Sequence, residues 1–126
     1  MSKPLAIFLG ACFLVSSGLI SGGAHAGDAA AGKKVFKKCK ACHYAAKDKN
    51  KTGPHLVNLI GREAGTVEGY KYSKAMKSSG IVWYEDTLTA YLRAPKKYLK
   101  GTKMAFAGLR KDADIANVIA YLKAQP

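Results

Sequence analysis

Cys39-Lys40-Ala41-Cys42-His43 is the stretch of this 126-residue chain around which the rest of the sequence is organised. A Cys-x-x-Cys-His run is typical of a c-type haem attachment site. Two residues between the cysteines let both sulfurs reach the two vinyl groups on one edge of a porphyrin. The histidine then lies beneath the iron, where its imidazole can serve as an axial ligand. The motif therefore predicts one haem c, bound covalently through Cys39 and Cys42, with His43 as an iron ligand.

Three other interpretations of the motif are open from these five residues alone. Cys39 and Cys42 could form a redox disulfide, although the βαβ pattern of a thioredoxin-like site is missing around them. Zinc could bind both cysteines with His43 and His55, but adjacent Cys42 and His43 side chains rarely chelate one tetrahedral ion. The match could also be a chance occurrence. The remainder of the sequence favours haem.

The first 26 residues have the form of a cleaved signal peptide. Lys3 supplies a positive start, Leu5 to Ile20 is largely apolar, and Ala24-His25-Ala26 has the small-x-small form cut by signal peptidase. A membrane anchor needs a longer apolar run, and a lipoprotein signal ending at Cys12 would cut this run in its middle. We therefore expect no stable membrane anchor and export to the periplasm, an oxidising compartment that suits thioether formation.

Residues 27–126 predict one small all-α domain with short helices and long loops. Helices are expected after the N-cap Asp28, over Ser73–Ser79 before Gly80, from Glu85 to Pro95, and after the N-cap Asp112. The last helix has an apolar stripe at Ile115, Val118, Ile119 and Leu122. The connections 44–72 and 95–111 are too long for an ordinary compact domain. A buried haem resolves this difficulty, because it supplies an apolar centre around which the loops wrap.

Three residues compete for the axial position opposite His43. Met104 follows Lys100-Gly101-Thr102-Lys103, outside any predicted helix, and a loop can bring a thioether to the iron easily. Met76 falls within a predicted helix, where packing is the simpler explanation. His55 lies close to His43 in the chain and on the same side of the motif. We therefore expect Met104 to be the sixth ligand.

The sequence resembles the class I cytochromes c, close to the bacterial cytochromes c2 and the mitochondrial type. The resemblance runs from Gly27 to about Lys123. Its motifs are the haem attachment run, Thr52-Gly53-Pro54, Gly61-Arg62, Trp83, Pro95-Lys96-Lys97-Tyr98 and Gly101-Thr102-Lys103-Met104-Ala105-Phe106-Ala107-Gly108. The resemblance implies a soluble, monomeric electron carrier, and not an enzyme. Its His/Met-ligated haem would shuttle single electrons between membrane-bound redox complexes.

The resemblance also implies roles for residues around the haem. The Pro54 carbonyl would accept a hydrogen bond from the outer ring nitrogen of His43, and Tyr91 would point its hydroxyl at the Met104 sulfur. Gly32 would let the first helix approach the last one closely. A further group would hold or neutralise the haem propionates, which are otherwise unpaired charges beside an apolar pocket. These cofactor-binding residues are Arg62, Tyr72, Ser73, Trp83 and Thr102.

Three positions depart from the family pattern. His55 replaces an asparagine that commonly follows the proline, and Lys100 replaces a proline often found before the Gly-Thr-Lys-Met run. Met76 stands where the mitochondrial type has an asparagine in a buried polar network. Met76 predicts a drier haem pocket, and Lys100 predicts a looser Met104 loop.

The formal net charge of +13 is distributed unevenly along the chain. Residues 33–51 hold eight lysines and one acid, Asp48, and residues 93–111 hold seven basic residues and no acid. Both clusters flank the segments that carry His43 and Met104, and hence the expected haem edge. A positive surface there would steer acidic redox partners into brief, salt-sensitive encounters.

Several partners fit this pattern equally well. They are a cytochrome bc1-type complex, a terminal oxidase, a photosynthetic reaction centre, a nitrogen-oxide reductase and a dehydrogenase. Two other classes of function compete with an electron carrier. A haem enzyme such as a peroxidase requires an open iron site, and a nucleic-acid-binding module is supported by charge alone, without a recognisable motif. We expect neither.

Overall fold

The structure is a computed structural model that describes residues 26–126. The signal peptide expected over residues 1–26 lies outside the described residues except for Ala26. The helices are α1 Ala29–Phe36, α2 Lys74–Lys77, α3 Glu85–Arg93, α4 Pro95–Tyr98 and α5 Asp112–Lys123. In residues 26–126 there is no named strand, only an isolated antiparallel bridge between Glu63 and Val82. The predicted all-α fold is therefore confirmed. None of these helices is long and apolar enough to cross a membrane.

The two ends of the described chain pack together through α1 and α5. The carboxylate of Asp28 accepts two backbone N–H groups of the first turn of α1, at 2.8 and 3.3 Å, which confirms the predicted N-cap. A Cβ atom added at Gly32 would overlap the carbonyl of Asn117 and lie 2.8 Å from the Cβ of Tyr121. The rings of Phe36 and Tyr121 are 5.2 Å apart. The missing side chain of Gly32 therefore sets the distance between the helices.

The last helix buries the predicted stripe but begins differently. The stripe residues Ile115, Val118, Ile119 and Leu122 are all buried. The prediction that Asp112 caps the helix is wrong, because the N-cap position is Lys111 and has no side-chain cap. Asp112 is the first helical residue, and its carboxylate pairs with Arg93 of α3 at 2.6 Å. An acid in the first turn still interacts favourably with the helix dipole.

The short helices lie between these two ends. Ser73 caps α2, since its Oγ accepts the N–H of Met76 at 3.0 Å, and Gly80 follows with a φ of +65°. The predicted helix in this region is confirmed, but it is shorter than Ser73–Ser79. Pro95 follows the end of α3 as predicted, yet it also starts α4. Proline is favoured in the first turn of a helix, where its missing N–H costs nothing.

Candidate functional site

A cavity of about 290 Å³ lies in the described chain. Packed interiors contain few voids larger than a water molecule, and this volume is close to the lower end of the range for ligand pockets. Core residues form much of its wall, including Phe36, Leu59, Trp83, Leu88 and Val118. The two long loops supply most of the remaining lining. The loops therefore wrap around a central space, as the sequence predicts.

The haem attachment motif forms one helical turn at the cavity wall. The N–H groups of Cys42 and His43 donate to the carbonyl of Cys39 at 3.1 and 3.0 Å. Residues three and four apart share one face of such a turn, and all three side chains line the cavity. Burial raises the pKa of the Cys39 thiol, and the charge of Lys38 acts in the opposite direction. Across residues 26–126 no three His, Cys, Asp or Glu side chains cluster to hold a metal ion.

The imidazole of His43 is oriented by a backbone carbonyl. Its Nδ1 lies 2.7 Å from the carbonyl oxygen of Pro54, the contact that the resemblance implies. Because a carbonyl only accepts, Nδ1 carries the proton and Nε2 keeps its lone pair. Burial lowers the pKa of His43, while the hydrogen bond to Pro54 opposes that shift. The ring is therefore neutral at neutral pH, the form in which histidine binds metals.

Gly53 contacts this imidazole, a role that the sequence does not reveal. A Cβ atom added at Gly53 would overlap Cε1 of His43 and lie 2.9 Å from its Nε2. The N–H of Gly53 also donates to the carbonyl of Cys42 at 2.8 Å. A glycine directly before Pro54 in a loop is the available signal, since glycine permits close approach of a backbone. That this glycine contacts the His43 imidazole can be recognised only from the folded structure.

All five residues implied to bind the propionates line the cavity: Arg62, Tyr72, Ser73, Trp83 and Thr102. The guanidinium of Arg62 donates to the carbonyls of Val57 at 2.8 Å and His55 at 3.0 Å. Burial lowers the pKa of Arg62, with an opposing effect from Tyr72, but an arginine stays charged in proteins. Its five N–H donors exceed these two bonds, so it can also pair with an anionic group.

The hydroxyl groups at this site keep donor capacity. The Tyr72 hydroxyl accepts the N–H of Val67 at 3.2 Å, and the Ser73 hydroxyl accepts the N–H of Met76. Each oxygen is an acceptor in these bonds, so its own proton can be given to a carboxylate. Burial raises the pKa of Tyr72, which keeps this phenol protonated at neutral pH.

Both candidate methionines, Met76 and Met104, line the cavity. Met76 lies on α2, whose first turn is capped by Ser73. Met104 lies on a loop that follows Gly101, a residue with a φ of +93°. The N–H of Met104 is 3.4 Å from the hydroxyl oxygen of Thr102. Because both thioethers line the cavity, this observation does not identify which of them would bind the iron.

The Tyr91 hydroxyl has a different partner from the one that the resemblance implies. It lies 2.8 Å from the hydroxyl of Thr102, which also accepts the N–H of Met104. Tyr91 thus reaches the methionine segment through the threonine. Burial raises the pKa of Tyr91, and the bond to Thr102 acts in the opposite direction.

His55 does not lie among the residues that line the cavity. Its Nε2 is 2.9 Å from a carboxylate oxygen of Asp48, and its Nδ1 accepts the N–H of Val57 at 3.3 Å. Both ring nitrogens are engaged by protein groups. The structure therefore removes His55 as a rival axial ligand.

Exposed lysines surround the part of the cavity wall that carries the motif. Lys38 and Lys103 contribute to the cavity lining and are exposed. The ammonium group of Lys103 donates to the carbonyl of Lys71 at 2.9 Å, so this lysine also joins two loops. The eight lysines of residues 33–51 are all exposed. The surface beside the motif is therefore strongly positive.

The donor set fits a c-type haem. Two thiols and a neutral imidazole share one turn, two thioethers line the same cavity, and a guanidinium with several hydroxyls could hold the propionates. Thioether links, an axial histidine and a methionine are the groups that bind haem in c-type proteins. The fold and the site thus define a small helical haem protein.

The family follows from comparison with known proteins. The family model described as cytochrome c matches residues 29–126, and the chain belongs to that family. It is 52% identical to cytochrome c-550 of Nitrobacter winogradskyi over 93 residues, which cover 73% of this chain and 85% of that protein. It is 51% identical to cytochrome c2 of Afifella marina over 98 residues, covering 75% and 79%.

A solved structure agrees with this assignment. Cytochrome cH from Methylobacterium extorquens matches with a TM-score of 0.74 and 46% identity, covering 77% of this chain and 98% of that one. As a cytochrome c, the protein is an electron carrier and not an enzyme, and it works with redox partner proteins. Its cofactor is haem c, and Cys39 and Cys42 are suited to its covalent attachment.

Proposed function

We propose that this cytochrome c is a periplasmic carrier of single electrons whose haem iron is held by His43 and Met104. When bound, the haem supplies one-electron exchange between ferrous and ferric iron. The observation that carries the proposal is the hydrogen bond between His43 and the Pro54 carbonyl at 2.7 Å. It fixes the tautomer and the orientation that an axial ligand needs. The signal-peptide form of residues 1–26 supports the periplasmic location.

The protein's own residues keep the site closed to substrates. His43 and Met104 would fill both axial positions, so no substrate could reach the metal. His/Met ligation and burial favour the reduced state and raise the reduction potential. Arg62, Tyr72 and Thr102 would neutralise the propionates by donating hydrogen bonds.

We prefer Met104 to Met76 as the sixth ligand because the backbone conformations of the two residues differ. Met76 is held on a capped helix, whereas Met104 lies on a loop without helical hydrogen bonds. A loop can adjust the position of a thioether at low cost. Thr102 connects this loop to Tyr91 of α3, which limits the adjustment. Met104 is therefore the sixth ligand in this proposal, and Met76 packs beside the haem.

Two variants test the sixth ligand. We expect Met104→Ala to abolish the methionine-to-iron charge-transfer band of the oxidised protein and to lower the reduction potential. Met76→Leu is the matched control, because it replaces the other cavity-lining thioether with an apolar side chain of similar size. It should keep the band. The reverse pattern would assign the ligand to Met76. A band that survives in both variants would show that Met104 is not required for it, which would contradict the choice of Met104.

The proposed partners are acidic redox proteins that dock at the lysine-rich edge of the haem site. A cytochrome bc1-type complex, a terminal oxidase, a photosynthetic reaction centre and a dehydrogenase all belong to this class. Lys38 and Lys103 at the cavity wall support the choice of surface. Such encounters use small and weak interfaces, which permit fast release after electron transfer.

A further inference from the structure

His55 has an unusual set of contacts for a residue outside the haem cavity. Its side chain is only 15% exposed, and both ring nitrogens have partners. Because the Val57 N–H can only donate, Nδ1 of His55 must accept this hydrogen bond with its lone pair, at an N···N distance of 3.3 Å. The proton of the neutral ring therefore lies on Nε2, which donates to Asp48 at 2.9 Å. The ring thus bridges its own turn to a separate acidic side chain.

The backbone of the same turn is also held by the side chain of Asn50. The N–H of His55 donates to Oδ1 of Asn50 at 3.1 Å, and Nδ2 of Asn50 donates to the carbonyl of Glu68 at 3.0 Å. Residues 55–57 are therefore tied to two neighbouring loop segments. A short turn with this many contacts has little freedom to shift.

The Arg62 side chain donates two hydrogen bonds to this turn. Its guanidinium donates to the carbonyl of Val57 at 2.8 Å and to the carbonyl of His55 at 3.0 Å. Both acceptors belong to the residues that the His55 ring joins. The position of the guanidinium in the cavity wall therefore depends on a turn that His55 stabilises.

We propose that His55 is a positioning residue for Arg62, and that the Asp48–His55–Val57 contacts help to set the reduction potential of the haem. This inference rests on the proposed function, because it requires a haem whose propionates face Arg62. A fixed positive charge beside the haem disfavours the oxidised state, which carries one more positive charge. A guanidinium that loses its place would therefore lower the reduction potential.

The first experiment compares two substitutions of His55 in the holoprotein by measuring the reduction potential. We expect His55→Ala to lower it, because the turn loses both ring contacts. We expect His55→Asn to retain most of the wild-type value. An asparagine can accept the N–H two residues onward in an Asx turn, so it replaces the Val57 contact although it does not reach Asp48. Thr66→Ala is the control, since its hydroxyl bonds only to the Glu63 carbonyl in a neighbouring loop.

The second experiment asks whether His55 acts through Arg62. In the Arg62→Gln background, His55→Ala should cause no further change in the potential, because the positioned charge is already gone. Non-additive effects of this kind identify residues that share one interaction. Additive shifts would overturn the proposal, and so would a potential unchanged in His55→Ala. Failure of His55→Asn to restore the value would also overturn it.

The charge-transfer band separates this inference from the proposed function. If the wild-type protein lacks the band, the proposed His/Met ligation fails. If all variants keep the band and His55→Ala keeps the wild-type potential, only the role of His55 fails. Should His55→Ala give no folded holoprotein, Asp48→Ala replaces it, because Asp48 is 86% exposed and can be removed without disturbing the interior. Its potential is compared with that of Asp48→Asn, which loses the same negative charge but keeps an oxygen that can accept a hydrogen bond from Nε2 of His55. Asp48→Ala should have the lower potential of the two, and equal potentials would refute the proposal.

Discussion

Gly53 shows how a missing side chain can control the orientation of His43, the proposed iron ligand. Any Cβ at this position overlaps the His43 ring, and Nδ1 of the ring is held by the Pro54 carbonyl. The imidazole therefore cannot move aside without losing the bond that sets its tautomer. The glycine belongs to the ligand environment although it has no functional group.

We predict that Gly53→Ala displaces the His43 imidazole and changes the haem spectrum. Overpacking of this kind costs about 1–3 kcal/mol of stability. Gly80→Ala is the control: an added Cβ meets nothing within 4 Å, but the φ of +65° makes alanine strained there. Both variants should melt at lower temperature, and only Gly53→Ala should alter the Soret and charge-transfer bands. An unchanged spectrum in Gly53→Ala would contradict the role assigned to this glycine.

Tyr91 leads to a prediction for alkaline pH. Burial raises its pKa above the ordinary tyrosine value, which is about 10. Above that pH the unfolded chain has lost the proton that the folded chain still binds, so the free energy of unfolding falls as the pH rises. We expect this loss to be smaller in Tyr91→Phe than in the wild type. The measurement is the denaturation midpoint between about pH 9 and pH 11.

Tyr84→Phe provides the comparison for that titration, because Tyr84 is 54% exposed. It should follow the wild-type curve. If Tyr84→Phe and Tyr91→Phe behave alike, burial of the Tyr91 phenol does not contribute to the pH dependence.

At the level of single residues, the sequence predicts the groups that carry distinctive chemistry. The two cysteines and His43 stand in a motif whose spacing has one main use. The contact of Gly53 with the imidazole depends on how a loop returns to the motif, and no local pattern records that path. The same reason explains Tyr91, whose hydroxyl meets Thr102 only because α3 packs beside the Met104 loop.

The packing of α1 against α5 is the main contact between elements. Gly32 decides it, because its Cα lies against the backbone of Asn117. The N–H of Asp28 adds a hydrogen bond to the Asn117 side chain at 2.8 Å. A helix interior normally gains about 0.5–1 kcal/mol when glycine is replaced by alanine. Here the steric overlap should reverse that sign.

We therefore predict that Gly32→Ala destabilises the protein, by about 1–3 kcal/mol as in overpacked cores. The guanidinium chloride midpoint of the holoprotein measures the change. Lys33→Ala is the matched control, since it places the same side chain at an exposed position of the same helix. It should stay within about 0.5 kcal/mol of the wild type. A Gly32→Ala variant as stable as the control would mean that the helices can separate at no cost.

Helices that begin with a capping residue or repeat apolar residues at helical spacing could be predicted from the sequence. Helices without these features could not. The stripe of α5 and the cap of α1 are of the first kind. Helix α4 has only four residues, too few to show a period, and Pro95 is equally compatible with the end of one helix and the start of the next. An aspartate is favourable both at the N-cap and in the first turn of a helix. Asp112 lies in the first turn, where its carboxylate pairs with Arg93 of α3.

For the whole molecule, the distribution of charge matters more than its sum. The formal net charge is +13, yet the exposed lysines concentrate beside the haem attachment motif. Lys103 is a poor position for testing docking, because its ammonium group bonds to the Lys71 carbonyl and its loss would also loosen the Met104 loop. Lys38 and Lys96 are exposed and have no such bond.

We predict that Lys38→Glu and Lys96→Glu slow association with an acidic redox partner several-fold, with little change in reduction potential. Stopped-flow oxidation across a salt series measures the rate. Salt should also slow association of the wild type, because screening limits the range of these charge interactions to about 8 Å at physiological ionic strength.

Lys123→Glu is the control for charge reversal away from the haem motif. Lys123 pairs with Glu85 at 3.2 Å on the surface, a kind of pair worth less than about 1 kcal/mol, so the variant should fold. It should slow association much less than Lys38→Glu. Equal losses would show that only net charge counts, and a rate independent of salt would exclude electrostatic docking.

The contact between α1 and α5 also has a consequence for hydrogen exchange. The first and last helices hold each other through backbone contact at Gly32 and through the ring pair of Phe36 and Tyr121. The loops of residues 44–72 have few backbone hydrogen bonds of their own, and much of their packing faces the haem cavity. Amide protons in those loops should therefore exchange through local openings. Those of α5 should exchange only when α1 and α5 separate, so these two helices form the most protected part of the described chain.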